Sequence, residues 1–238
     1  GEDAAAPETT ADAPVGAATL LAVLADGMGG HAGGSVASRL VCEGFLASFA
    51  GAAAEQPTAG RLLAALESCN RAVADRIEVD PMLSGMGSTL IGALFGPDGV
   101  AWISVGDSPL FLFRRGDVAL LNEDHSLAPE LDRLAAAGRI SQREALNDPR
   151  RHMLRSAVCG DDIELIDIAE QPVPLAPGDF VILASDGLET LEPAEIARIV
   201  AAYADAGAAG VAEALIRSVD NLRDPHQDNT TVVAVMVR

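Results

Sequence analysis

Apolar and polar positions along this 238-residue chain alternate between two periods, and each change of period predicts an element boundary. Residues 18–25 (ATLLAVLA) form an unbroken apolar run that stops at Asp26-Gly27-Met28-Gly29-Gly30. This reads as a buried strand delivering a carboxylate into a glycine-rich turn. Residues 4–17 are small, polar and proline-interrupted, and are expected to form a loop between two strands. Beyond the turn, Ala37, Leu40, Val41, Phe45, Ala47 and Phe49 recur at helical spacing, and so do Leu62, Leu63, Leu66, Cys69, Val73 and Ile77.

The period then shortens. Strands are expected at 88–95, 100–105, 110–113 and 118–121, joined by glycine- and aspartate-bearing turns into one antiparallel meander. Residues 127–158 return to a helical or irregular pattern rich in Arg and Ala. Strands at 163–169 and 180–184 precede two alanine-rich helices at about 193–205 and 208–222. Residues 230–237 form a β-branched strand, apolar on both faces and therefore expected at the centre of a sheet. Strand clusters separated by paired helices put the chain in the α+β class, sheets covered by helices, and argue against a doubly wound parallel sheet.

Composition narrows the chemistry. The formal charge is −19, from 35 acidic and 16 basic side chains, which disfavours nucleic acid or an anionic membrane as a partner. Every basic residue is arginine, which removes a Schiff-base lysine, a phosphate-loop lysine and a kinase-type lysine. With hydrophobic residues at 49% and no linker-like stretch, one domain spanning 1–238 is expected. Cys42, Cys69 and Cys159 are odd in number and widely spaced, so a reducing, cytoplasmic compartment is expected rather than a disulfide framework. No apolar run reaches the roughly 18 residues of a membrane helix, and the start resembles no signal peptide. The chain begins without Met, so removal of an upstream segment is expected.

Three apolar strands carry an aspartate where strand meets turn: Asp26 before Gly27, Asp186 before Gly187, and Asp228 at the mouth of the last strand. Any one of them is readily explained as a turn residue. Gathered at one end of a sheet, three carboxylates would repel one another unless a divalent cation neutralised them. Oxygen ligands without His or Cys select hard ions, Mg²⁺ or Mn²⁺.

The ordered set Asp26-Gly-Met-Gly-Gly-His31, Gly87-Ser-Thr89, Val105-Gly-Asp-Ser108, Glu123-Asp-His125, Ala184-Ser-Asp-Gly187 and Asp228-Asn-Thr-Thr-Val-Val233 resembles the metal-dependent protein phosphatases of the type 2C family in their bacterial form. The resemblance runs from Glu2 to the C-terminus. It implies a sandwich of two antiparallel β-sheets flanked by helix pairs, a flap-like segment at about 127–158, and hydrolysis of phosphoserine and phosphothreonine in signalling proteins. It further implies two Mn²⁺ or Mg²⁺ ions per chain and a third, weaker one. By resemblance Asp26 bridges both metals, the Gly27 carbonyl binds one, and Asp186 and Asp228 bind the other. Glu2 and Asp3 match the acidic pair that orders water there, and Asp124 matches the ligand of the third ion, shared with Asp186. The implied partners are a phosphorylated protein and a serine/threonine kinase or its targets, with the chain itself a monomer.

Some positions depart from the family pattern. An arginine that binds substrate phosphate would precede Gly1, and Met28 stands where some members carry a histidine general acid. His31 is then the nearest proton donor, or simply a helix-entry histidine. These departures keep a second reading open, a catalytically weak phosphatase-like module that binds phosphoprotein. His152, Arg150, Arg151 and Arg155 are read either as substrate contacts or as a solvated face. Asp107, followed by Pro109 where many relatives have Arg, is read as a structural turn residue behind the metal cluster, with a place in the metal shell as the other reading. His125 is read as a loop-shaping neighbour, His226 as solvated, Asn229 as a side-chain brace for the Asp228 loop or else a phosphate contact, Thr89 as a strand start and Trp102 as core.

Overall fold

The computed structural model describes residues 2–9, 19–53 and 55–238, with the backbone alone at 2–9 and 30–32. Two antiparallel sheets stack face to face. The first contains β1 (Glu2–Thr9), β2 (Leu20–Met28), β3 (Gly87–Ser88), β4 (Leu90–Gly96), β5 (Gly99–Val105) and β8 (Asp167–Ile168), in the order β1-β2-β4-β5-β8 with β3 also on β2. The second runs β10 (Val232–Met236), β9 (Phe180–Ala184), β6 (Leu110–Arg114) and β7 (Asp117–Leu120). Helices α1 (Gly30–Gly51) and α2 (Thr58–Val79) cover the first sheet, while α5 (Pro193–Tyr203) and α6 (Gly207–Leu222) cover the second. Between β7 and β8 lie the short helices α3 (Ala128–Ala136) and α4 (Gln142–Leu146).

The run that looked uniformly apolar in β2 is sorted by the pleat. Leu21, Val23 and Ala25 face α1 and α2, whereas Ala22 and Leu24 face the second sheet, where they meet Leu110, Leu112, Val181 and Leu183. On α1, Ala37, Val41, Phe45 and Phe49 fall four apart on one face and are buried. Each large side chain so buried contributes about 1.5–3 kcal/mol. Phe45 lies against β4 at Gly92, where an added Cβ would come within 2.6 Å of the phenyl ring.

Four expectations change. Residues 4–9 belong to a strand, β1, paired along β2, rather than to the expected loop; the rest of that stretch lies outside the described residues. The expected meander is two hairpins in different sheets. β4–β5 belongs to the first and β6–β7 to the second, and the chain crosses between them at Gly106 (φ +101) through Pro109, which cannot donate to a ladder. The strand expected at 163–169 shrinks to Asp167–Ile168, because the Leu165 N–H and carbonyl bond the Ser156 hydroxyl instead, at 3.1 and 2.9 Å. β10 is an edge strand, not a central one. It is apolar on both faces because Val232, Ala234 and Met236 pack with the α5–α6 layer while Val233 and Val235 pack between the sheets.

Residues 193–222 are long and apolar enough to cross a membrane by composition, but they fold as α5 and α6, broken at Gly207 (φ +74), with apolar faces against the second sheet. The segment 127–158 is closed on itself. A bridge joins Ser126 to Leu154, and Arg151 grips the Asp132 carboxylate at 2.8 and 2.9 Å. Trp102 lies between the sheets as expected, its indole N–H donating to Asp167 at 2.9 Å.

Candidate active site

β2 and β9 end at the same end of the sandwich, and the loop before β10 returns there. A cavity of about 710 Å³ opens at this end, and its wall carries Asp26, Gly27, Asp107, Asp186, Asp228 and His152. The three strand-end aspartates singled out in the sequence therefore share one chamber. Among the described residues no three His, Cys, Asp or Glu side chains close tightly enough to hold one metal ion. The aspartates line a common wall rather than a finished cage.

Asp26 is held by its backbone. Its N–H donates to the Thr89 hydroxyl at 3.0 Å, and its carbonyl accepts from the Thr89 N–H at 2.8 Å and the Ser88 hydroxyl at 2.9 Å. The Thr89 hydroxyl in turn pairs with that of Ser108 at 2.7 Å, and both residues are buried. These bonds interrupt the strand between β3 and β4, so Thr89 is more than the strand start read from the sequence. In register, β1 sets Asp3 opposite Asp26 and Glu2 opposite Gly27; the side chains of both acids lie outside the described residues. The same holds for the His31 side chain, whose backbone lies in the first turn of α1.

Asp186 and Asp228 are brought together by residues the motif reading passed over. The buried Ser185 hydroxyl accepts from the Thr231 N–H at 3.0 Å and donates to the Asn229 carbonyl at 3.2 Å. The Gln227 amide donates to the Gly187 and Asp228 carbonyls at 2.9 and 3.0 Å. Gly187 is required by this closeness, since a Cβ there would stand 2.3 Å from the Asn229 carbonyl oxygen. The Asn229 backbone N–H holds the Asp228 carboxylate at 2.7 Å, so the brace expected of its side chain is supplied by its main chain.

Asp124 and Asp107 are neighbours at this end of the sandwich but are held differently. Both Asp124 carboxylate oxygens accept from Ser126, at 2.7 Å from the N–H and 3.0 Å from the hydroxyl, an Asx turn leading into α3. Asp124 is not among the cavity-lining residues, whereas Asp107 is. Burial, then the charges of Asp186 and Asp124, push the Asp107 carboxyl up to about 7. Glu189, which the sequence reading missed, is pushed to about 7 by burial and the charges of Asp124, Asp107 and Asp186. Its residue surface is largely solvent-exposed, so water screens much of that repulsion. A spacing signal existed for it, three residues after Asp186 on the same 3-10 turn (Asp186–Thr190). Crowded like charges on an all-oxygen donor set suit a hard divalent cation, which reverses the repulsion.

Of the histidines, His152 reaches the cavity and His125 does not line it. His125 is buried, which lowers its pKa, and its Nδ1 accepts from the Gly106 N–H at 3.2 Å, fixing the turn beside Asp107. Met28 lies on the cavity wall.

A sequence profile described as Protein phosphatase 2C matches residues 3–218. The chain belongs to the protein phosphatase 2C family. It is 36% identical over 231 residues to the serine/threonine protein phosphatase PstP of Mycobacterium tuberculosis, covering 95% of this chain and 42% of that protein. It therefore spans less than half the length of that relative. Against the serine/threonine phosphatase stp of Listeria monocytogenes serovar 1/2a the identity is 33% over 177 residues, 73% of this chain and 68% of that one. Among solved structures of the family, the M. tuberculosis PstP/Ppp phosphatase superposes with a TM-score of 0.76 at 30% identity, covering 100% of this chain and 99% of that one. A PstP catalytic domain in complex with 2 manganese ions superposes with a TM-score of 0.74 at 28% identity, covering 99% of each chain. The two antiparallel sheets with flanking helix pairs are thus the family fold, as the resemblance implied.

Proposed function

We propose that this chain hydrolyses phosphoserine and phosphothreonine in proteins with the help of divalent cations. The observation that carries the reading is the single chamber that collects oxygen donors from strand ends of both sheets, Asp26 and Gly27 from one, Asp186 and Asp228 from the other. These groups would hold two Mn²⁺ or Mg²⁺ ions, and a third would draw on Asp186 together with Asp124 or with Asp107, whose carboxylates lie near one another. Glu2 and Asp3, opposite Gly27 and Asp26 in register, would complete the acidic lining. When bound, such cations supply Lewis acidity toward the phosphoryl oxygens and acidify water.

The chain's own residues do the positioning. Thr89 and Ser88 hold Asp26, while Ser185 and Gln227 hold Asp228 against Asp186. His152 on the wall is placed to give a proton to the departing serine or threonine oxygen, with His31 the other histidine near the mouth by sequence. The inferred substrates are phosphorylated proteins, the targets of a serine/threonine kinase or the kinase itself. Cys42 and Cys69 are buried free thiols, which is compatible with the reducing, cytoplasmic setting inferred from the cysteine spacing, and the chain is inferred to act as a monomer.

The test is turnover of a phosphothreonine peptide with Mn²⁺, with Asp26→Ala and Asp228→Ala as controls. Activity is expected to vanish with EDTA and in both variants. Turnover no greater than that of the controls rejects the enzyme reading, and tight phosphopeptide binding without turnover would mark a phosphatase-like regulatory module.

A further inference from the structure

A groove of about 750 Å³ runs away from the candidate active site between the C-terminal half of α2, residues 84–87 and residues 154–164. Met28 and Leu154 line both hollows, so the groove adjoins the catalytic chamber. We propose that it binds the polypeptide flanking the phosphorylated residue and selects basic flanks. The proposal rests on the phosphatase reading above and adds a substrate class to it.

Two features act together. The floor is apolar, with Met28, Ile77, Met86 and Ala157 half-buried or buried. The rim is acidic, with exposed Glu78, Asp161, Asp162 and Glu164. An arginine or lysine matches both at once, laying its aliphatic stem on the floor and its charged head against the rim. A purely apolar flank would leave the carboxylates unanswered, and an acidic flank would be repelled. Among the described residues none of the four rim carboxylates is in an ion pair, so their charge is available to a ligand. The cation within the groove, Arg155, lies 4.0 Å from Glu130 of α3. A further hollow continues past Asp161 and Asp162 along α2, where Glu67 and Arg71 bring one charge of each sign.

The rim is also built to stay in place. The Asn70 side chain donates to the Asp161 carbonyl and accepts from the Gly160 N–H, both at 2.8 Å. Gly160, at φ +90, presses the loop so close to α2 that a Cβ would come within 2.8 Å of the Ala74 Cα. Ser88 and Val158 exchange N–H···O bonds of 3.0 and 2.9 Å, tying the same loop to the strand beside Asp26. A fixed row of carboxylates spends little ordering entropy when a peptide binds.

The experiment compares kcat/KM, with Mn²⁺ at low ionic strength, for two short phosphothreonine peptides flanked on both sides by arginine or by glutamate. Exposed ion pairs each contribute about two- to threefold, so about a tenfold preference for the arginine peptide is expected, shrinking at high salt. In the variant combining Asp161→Asn, Asp162→Asn and Glu164→Gln the preference should fall below about threefold. Equal use of the two peptides, or a preference the variant leaves intact, overturns the proposal, the rim then serving only to solvate an acidic protein. Hydrolysis of p-nitrophenyl phosphate by the wild type separates the two claims. If it fails along with both peptides, the phosphatase reading is lost, and fluorescence anisotropy of a labelled arginine-flanked peptide decides the groove. Weaker binding by the variant upholds the proposal, and equal binding overturns it.

Discussion

Replacing Thr89 by valine keeps the shape of a buried side chain and deletes one hydroxyl, the one that accepts from the Asp26 N–H at 3.0 Å and pairs with Ser108 at 2.7 Å. Both partners lose that bond in a setting with little water, since Thr89 is 3% exposed and Ser108 2%. At about 1–3 kcal/mol for each group so left, and the lower end for the half-buried Asp26, the loss is about 3 kcal/mol. For a chain of this size that lowers Tm by roughly 6–12 °C, measurable by thermal denaturation. The Thr89 N–H bond to the Asp26 carbonyl survives, so the strand end is loosened rather than detached. Mn²⁺-dependent phosphopeptide turnover should still drop more than about tenfold, because a carboxylate displaced by a fraction of an ångström misplaces the reacting groups. Adding Ser108→Ala to Thr89→Val removes one of the two groups left short of a partner. The double variant should therefore be no less stable than Thr89→Val alone, a coupling of about 1 kcal/mol or more. A Tm within about a degree of wild type, or strictly additive effects of the two substitutions, would refute the clamp.

Gly187→Ala should cost about 1–3 kcal/mol and most of the activity, because its Cβ would stand 2.3 Å from the Asn229 carbonyl oxygen and push the Asp228 loop off Asp186; a variant with wild-type Tm and turnover would show that the loop has slack. The buried Asp179 carboxylate takes hydrogen bonds from Arg114, which hold its pKa below the usual range, so its stabilisation is complete above the unfolded value near 4 and fades as pH falls through the lower folded value. Asp179→Asn should therefore lower Tm at neutral pH and flatten its decline below about pH 4, and parallel Tm–pH curves for the two proteins would contradict this. His152→Gln should slow hydrolysis of phosphothreonine, whose alkoxide leaves only when protonated, far more than hydrolysis of p-nitrophenyl phosphate, whose phenolate leaves unaided; equal slowing would remove the proton-donor role.

How much of the site was legible depended on which atoms carried the signal. Asp26, Asp186 and Asp228 stood out because the first two close an apolar strand run and the third opens onto one, and strand ends on stacked sheets meet at a common edge. Asp107 and Asp124 both sit in polar turns, and nothing in their local pattern distinguishes a carboxylate facing a cavity from one folded back on its own Ser126. Thr89, Ser185 and Gln227 were illegible for another reason. Their work is done through hydroxyl and amide bonds to residues 63, 44 or 46, and 40 positions away, as with Thr89 to Asp26, Ser185 to Asn229 and Thr231, and Gln227 to Gly187. His152 lies on the chamber wall two residues before Leu154, whose bridge to Ser126 draws together the segment that carries it.

The sequence by itself determined the strands and helices with an unambiguous period, the α+β class, the absence of lysine chemistry and the aspartates at strand ends, because each is a property of neighbouring residues. Tertiary structure decided which sheet each hairpin joins, that β10 lies at an edge, that Asp107 rather than Asp124 lines the chamber, and that an acidic groove adjoins it. A periodic pattern records which faces avoid water but not what covers them, and β10 illustrates the difference: both its faces are apolar because helices lie on one side and a second sheet on the other, whichever strand stands beside it.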